Sequence, residues 1–318
     1  IENTVKAIKK QNPDFDIEKI SLDDRETFKN ISDGETIGLF QLESAGMRSK
    51  LVQLKPESLA DIMAAIALYR PGPMNSIGKY IENKKNRHNI DYKIKLIEPI
   101  LKETFGCVVY QEQVMQIFRT VADYSFGQAD IIRKAMSKKK AGVIEKEKNT
   151  FLSKAIEKGI DEADASELFE ELVGFCKYAF NKSHAASYAV VTYRTAYLKT
   201  HYPKEYMASL LTSVIGDEDK VSIYAEECKR LGINLLPPHI NESYGYFRVV
   251  GDNIRFALLA LKNVGRTFVD DVVFERRNGE FSSFENFINR MRESDLNKRQ
   301  IEALIKVGCF DYTGIYRS

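Results

Sequence analysis

PESLADIMAAIALYRPGP, residues 56–73, is the stretch on which the fold class turns. Ser58 offers an N-cap, and Leu59, Ile62, Met63, Ile66 and Ala67 recur at steps of three and four, the period of one helix face. The helix must stop at Arg70, because a proline bars the preceding residue from helical backbone and Pro71-Gly72-Pro73 bars it twice. A rigid turn follows. Working outward, the same period predicts helices from Gln111 to about Asp123, from Gly127 into a lysine cluster, from Asp161 through Phe175, and over 184–201 up to Pro203. After Gly232 the texture changes: Leu235, Leu236, Pro237 and Pro238 precede Phe247, Val249, Val250 and Ile254, Phe256, Leu258 around Gly251-Asp252-Asn253. That pattern predicts a small β-hairpin-like linker, with helix returning over the last sixty or so residues. The chain therefore reads as mostly α, with a domain division near residues 230–250.

A chain of 318 residues can bury one large core and a smaller one, or two of medium size. Its 47 Lys and Arg against 45 Asp and Glu argue against coating nucleic acid through bulk positive charge. No apolar run approaches the roughly 20 residues that span a bilayer. The opening Ile1-Glu2-Asn3 lacks an initiator Met and a secretory signal, so the chain reads as cut from something longer. Cys107, Cys176, Cys228 and Cys309 lie too far apart for a zinc site or a disulfide framework, as do the four histidines for a ligand pair. Reduced thiols in the cytoplasm, and no protein-held transition metal, are the expectation.

Charge does cluster locally, at Lys84, Lys85, Arg87 and His88 and more densely at Arg133, Lys134, Lys138, Lys139 and Lys140. The plain account of such a run is a solvated helix face. The sharper one is a grip on polyphosphate, with a guanidinium followed one turn later by lysines. Tyr110-Gln111-Glu112-Gln113 and Tyr178 to His184 mix aromatic and polar residues in a way a core alone does not explain. Ser183 reads as an N-cap in the plainest account; alternatively Asn181, Lys182, Ser183 and His184 at a helix start gather donors that suit a phosphate or a base edge. No P-loop and no G-x-G-x-x-G occurs, so any nucleotide would be held by side chains and helix ends.

Two magnesium ions need a set of carboxylates. Asp14-Phe15-Asp16 has alternate spacing but follows Pro13 in a polar stretch without an apolar strand, and is not expected to hold them. Asp23-Asp24, Asp217-Glu218-Asp219 and Asp270-Asp271 read as helix starts and exposed loops. Leu261-Lys262-Asn263-Val264-Gly265, followed by Thr267, Val269, Val272 and Val273, has the form of a helix-hairpin-helix. A weaker second copy lies at Asn297 to Gly308, and the plain account of either is a helical turn with a C-cap glycine.

Five segments in order, GLFQLES (38–44) with Gly46-Met47, ALYRPGP (67–73), VYQEQVM (109–115), ADIIRKAMSKKK (129–140) and FNKSHAASY (180–188), resemble the bacterial C-family replicative polymerases, the DNA polymerase III alpha subunits. The resemblance covers essentially the whole chain. It implies a multi-helix fingers domain over 1–235, with 1–36 as its connection to a palm, and linker strands with a tandem helix-hairpin-helix over 236–318. It also implies that Arg133 and Lys134 hold the triphosphate of an incoming deoxynucleotide while Phe180, Ser183 and His184 line the nascent base pair. Arg70, Tyr110, Gln111, Gln113, Asn181 and Lys182 become supports of that pocket, and Lys138, Lys139, Lys140, Lys262, Asn263, Val264 and Gly265 contacts to DNA. Lys134 departs from the second arginine common at its position. Catalytic carboxylates and their Mg2+ are expected in a palm outside this chain, which alone should be inactive. The implied partners are primer-template DNA, deoxynucleoside triphosphate and replicative subunits including the sliding clamp. Two competing readings are a stand-alone, non-sequence-specific DNA-binding module and the fingers of an error-prone relative.

Overall fold

The computed structural model describes residues 1–138, 141–176, 178–292, 294 and 296–314, so Lys139 and Lys140 lie outside the described residues. Helices run in the order α1 (Glu2–Ile8), α2 (Arg25–Ser32), α3 (Ala45–Leu54), α4 (Leu59–Leu68), α5 (Ile77–Lys85), α6 (Glu98–Leu101), α7 (Gln111–Ala122), α8 (Phe126–Ser137) and α9 (Ala141–Glu157). They continue with α10 (Glu162–Cys176), α11 (Lys182–His201), α12 (Pro203–Ser213) and α13 (Glu218–Arg230). Three short strands, β1 (Leu235–Leu236), β2 (Arg248–Val250) and β3 (Asn253–Arg255), come before α14 (Arg266–Glu275), α15 (Phe284–Arg290) and α16 (Lys298–Lys306). The mostly α expectation is borne out. The chain divides into two compact units, residues 21–193 and residues 1–20 with 194–318.

In the 21–193 unit, Asp24 and Ser58 start helices as the sequence foretold, each accepting an amide three residues on, and Ser44 does the same for α3. The α4 stretch differs from its predicted single stripe. Ala64 and Ala65 are buried along with Ile62, Ile66 and Leu68, so α4 is covered nearly all round. Lys84 is likewise no free surface cation. Its Nζ meets the Asp61 carboxylate at 3.0 Å with both side chains at most 10% exposed, and donates to the Lys55 carbonyl, closing α3.

Helices α7 to α10 form a bundle around Phe118, Phe151 and Phe169, whose ring centroids lie 5.3, 5.4 and 6.1 Å apart. Burying each ring contributes about 1.5–3 kcal/mol, and each edge contact about 0.5–1.5 kcal/mol more. The bundle core draws only on residues 94–176.

In the other unit, β2 and β3 make the predicted hairpin across Gly251-Asp252, Gly251 having φ +59. The sequence did not reveal that β1 pairs with β3 in parallel, giving a three-stranded sheet ordered β1-β3-β2. Two-residue strands carry too little periodicity to be read alone. Asp217 caps α13 as expected, but Asp270 and Asp271 sit inside α14 and not at its start. The second core gathers Phe268, Val272, Phe281, Phe287, Met291 and Leu304.

Candidate functional site

The candidate site grows from one pairing within the 21–193 unit. Tyr110 and Phe180 form an isolated parallel bridge, and the Gln111 N–H donates to the Phe180 carbonyl at 2.9 Å. Two segments seventy residues apart thereby open two helices, α7 and α11, side by side. Gln113 locks the first of them. Its Oε1 accepts the amides of Val109 and Tyr110 at 2.9 and 3.0 Å, while its Nε2 donates to Ile100 O and to Thr104 Oγ1 at 3.2 and 2.8 Å. The residue is 1% exposed, and the buried Val109 and Tyr110 amides both have its Oε1 as acceptor. Gln113→Leu is expected to destabilise the unit by about 2–4 kcal/mol, by stranding buried amides, and to speed hydrogen exchange at Val109 and Tyr110. Unchanged exchange would contradict this role.

The second helix is tied to the first through Glu112. Its carboxylate accepts Asn181 Nδ2 and the Lys182 amide, both at 3.0 Å. Asn181 Oδ1 in turn accepts the His184 amide at 2.8 Å, so Asn181 is the N-cap of α11 and Ser183, which the plain account made the cap, is not. Ser183 is exposed in the first turn, and among the described residues neither its N–H nor its hydroxyl has a protein partner. Lys182 Nζ reaches both Glu103 oxygens at 2.7 Å and lies 5.7 Å from the Tyr110 ring centroid. Burial raises Tyr110 well above its ordinary value, so the phenol stays neutral.

Above this base lies a row of rings. Phe180, His184 and Tyr188 are spaced i, i+4, i+8, with centroids 5.4 and 4.1 Å apart, and Phe40 continues the row 5.3 Å from Tyr188. Arg70 closes the other end. Its guanidinium carbon is 4.3 Å from the Phe180 centroid, and its Nη2 donates to Tyr178 O at 2.6 Å. The Pro-Gly-Pro turn explains that placement: Gly72 has φ +102, and a Cβ there would meet the Tyr178 ring at 2.5 Å. Tyr188 and Phe40 were not among the predicted site residues, although the four-residue spacing from Phe180 was the signal for Tyr188.

Arg133 and Lys134 form a separate group. Both hold Asp130, Arg133 through Nε and Nη2 at 3.2 and 2.8 Å and Lys134 at 2.6 Å. Hydrogen bonds from Lys134 and Arg133 keep the Asp130 carboxyl below the usual carboxylate range. The Arg133 side chain is 17% exposed and Lys134 61%. Neither makes a hydrogen bond, ion pair or ring contact with Phe180, Ser183 or His184. The Arg133 charge does reach Cys176, the last residue of α10 and four before Phe180. It opposes the burial that pushes that thiol up to about 12. Lys138 closes α8 with its amide on Lys134 O.

In the 194–318 part, the Lys262 to Gly265 turn stands open. Asn263, with φ +66, takes the left-handed conformation the turn requires, while Gly265 is the extended N-cap of α14 and not a C-cap. Lys262, Asn263 and Gly265 are exposed, Val264 is buried, and α14 starts without a side-chain cap. A 3-10 turn (Leu258–Ala260) precedes it where a full helix was implied. The second copy ends α16 at Gly308, φ +82, with the Cys309 amide on Leu304 O at 3.0 Å.

The α7–α11 base thus carries a half-buried ring row with His184 exposed, and the 194–318 part carries an open glycine-bearing turn at Lys262 to Gly265. Residues 1–159 match the bacterial DNA polymerase III alpha subunit finger domain, and residues 232–318 match the helix-hairpin-helix motif. The DNA polymerase III subunit alpha of Borreliella burgdorferi is 46% identical over 98% of this chain and 27% of its own length. Those of Campylobacter jejuni and Thermus aquaticus are 43% and 45% identical over 100% and 95% of the chain, and 27% and 25% of their own lengths. The chain belongs to the bacterial DNA polymerase III alpha subunit family. It spans about a quarter of the length of these relatives.

Proposed function

We propose that this chain supplies the fingers and a DNA-tracking unit to a DNA-directed DNA polymerase that copies the chromosome, with residues 1–235 as fingers, 1–36 as their connection to the palm, and 236–318 as linker strands and tandem helix-hairpin-helix. The observation that carries the reading is the row of the half-buried Arg70, Phe180 and Tyr188 with the exposed His184, assembled around the start of α11. A base stacks on such rings whatever its identity, as a replicative enzyme requires. Ser183 adds a free hydroxyl and amide at the positive end of a 20-residue helix, suited to a phosphate. Arg133 and Lys134 supply cationic donors to the triphosphate; Arg70, Tyr110, Gln111, Gln113, Asn181 and Lys182 hold the row in place.

In the intact enzyme a primer 3′-hydroxyl attacks the α-phosphate in line and pyrophosphate leaves, a reaction catalysed chiefly by positioning and charge stabilisation. Magnesium held by palm residues outside this chain supplies the bridging charge. Among the described residues no group of three or more His, Cys, Asp or Glu could hold a metal. The chain alone is proposed not to polymerise. Primer-template DNA, deoxynucleoside triphosphate and the sliding clamp are the proposed partners, in the cytoplasm; no helix among the described residues is long and apolar enough to cross a membrane.

Phe180→Ala in the full-length polymerase is expected to raise KM for every deoxynucleotide about tenfold, the worth of one stacking platform, with primer-template affinity kept. Steady-state incorporation and duplex binding are the measurements. Parallel losses in both would favour a module that only grips DNA, and no loss in either would remove the ring row from the nucleotide site.

A further inference from the structure

Tyr244 is held between two arginines: the guanidinium carbons of Arg248 and Arg276 lie 4.9 and 4.8 Å from its ring centroid. The arrangement is fixed from behind. Gly245 lets the chain lie on Leu259 and Val269, where a Cβ would come within 3.0 Å of Leu259, and the Tyr244 carbonyl accepts the Leu258 amide at 2.8 Å. Arg276, at the C-terminal end of α14, donates Nη1 to Ile240 O at 3.2 Å, while its Nη2 is buried without a hydrogen-bond partner. Arg248, on β2, is exposed. Among the described residues no carboxylate pairs with either guanidinium, and the Tyr244 hydroxyl has no protein partner. Burial lowers the Arg276 value; Tyr244 works against that shift, and the like charge of Arg248 adds to it. Arg290 of the same unit, by contrast, is paired with Glu275 at 2.9 Å.

Two uncompensated guanidiniums about one ring form an anion site, because a bound anion relieves both the repulsion and the buried charge. We infer that Tyr244, Arg248 and Arg276 bind a backbone phosphate of nucleic acid, with Arg248 and the Tyr244 hydroxyl in contact and Arg276 a positioning charge behind them. The inference goes beyond the turn at Lys262 to Gly265 but rests on reading this unit as DNA-binding. The surface favours a strand over a free nucleotide. It is open, with Tyr246 46% exposed beside it, and α14 separates it from the Gly265 turn by about 15 Å, a span of roughly four base pairs.

Duplex binding by the 318-residue chain, followed by fluorescence anisotropy over a salt series, tests this. Arg248→Gln removes an exposed side chain that supports nothing in the core. It is expected to weaken binding severalfold at low salt and to reduce the slope of log K against log salt by about one. Arg248→Gln/Arg276→Gln should reduce it further, with the thermal melt followed by circular dichroism to confirm the fold. An unchanged slope in folded Arg248→Gln overturns the inference. Lys262→Ala separates it from the turn. A response there with none at Arg248 rejects this site alone, and silence at both rejects the whole DNA reading. Weaker dATP binding by Arg248→Gln with unaltered duplex binding would assign the anion to a free nucleotide and also overturn it.

Discussion

Arg133→Ala in the full-length polymerase is expected to reduce kcat/KM for incorporation by about 100- to 1000-fold, the worth of a preorganised cationic donor on developing phosphate charge. Primer-template affinity should change little. The structure sets the terms. Asp130 occupies one edge of the guanidinium and also holds Lys134, so a single carboxylate keeps two adjacent cations in place from one turn below them. A triphosphate brings several negative charges against that one, and can draw both side chains from it. Arg133→Lys should recover only part of the activity, since an ammonium lacks the planar fork. Asp130→Asn should lower incorporation less than Arg133→Ala, because it frees the donors but loses their alignment. If Arg133→Ala lowered the melting temperature and left incorporation unaltered, the ion pair would be a brace within α8 and the nucleotide grip would have to lie elsewhere.

Glu227→Ala should cost the unit that contains α13 about 3–5 kcal/mol, a large part of the total stability of a domain. Its carboxylate is 1% exposed and holds Lys199 Nζ at 2.6 Å, itself 5% exposed, and Arg230 Nε at 2.8 Å. Truncation takes from the buried Lys199 ammonium the carboxylate it meets at 2.6 Å. Urea denaturation of the 318-residue chain measures the loss, and Lys199→Met/Glu227→Leu should restore most of it by removing both charges. A double variant as unstable as the single one would show that packing and not charge was lost. The same pair fixes a pH dependence. Burial would raise the Glu227 carboxyl, but hydrogen bonds from Arg230 and Lys199 outweigh it and hold the value below the ordinary carboxylate range. Its contribution is therefore fully present above the unfolded value, near 4.5, and is lost as pH falls through the lower folded one. The acid limb of a denaturation series should flatten in Lys199→Met/Glu227→Leu.

How much of this was legible in sequence follows from range. The helix of 59–68 and its stop at the Pro-Gly-Pro turn were readable because capping, period and proline act within a few residues. The Phe180, His184, Tyr188 spacing was equally local. Asn181 displaced Ser183 as the cap because Glu112, sixty-nine residues away, positions its side chain, and no local rule sees that. Lys84 looked like one more solvated lysine until Asp61 was found beside it, and β1 was invisible because its partner lies across the hairpin. Arg133 and Lys134 were picked out by their charge cluster and by the family resemblance, and their shared Asp130 sits at helical spacing that could have been read.

The Tyr110 to Phe180 bridge closes a chain loop whose interior is lined almost wholly by its own side chains. A block of that kind approaches a cassette: recombination that exchanges residues from about 92 to 180 as one piece has to match a short seam, namely the backbone pairing, the Glu112 and Glu103 anchors, the Arg70 contacts to Tyr178 and Phe180, and the Phe105 contacts to Tyr80 and Asn83. Drift in nucleotide handling and drift in the bundle interior can then proceed on separate evolutionary clocks.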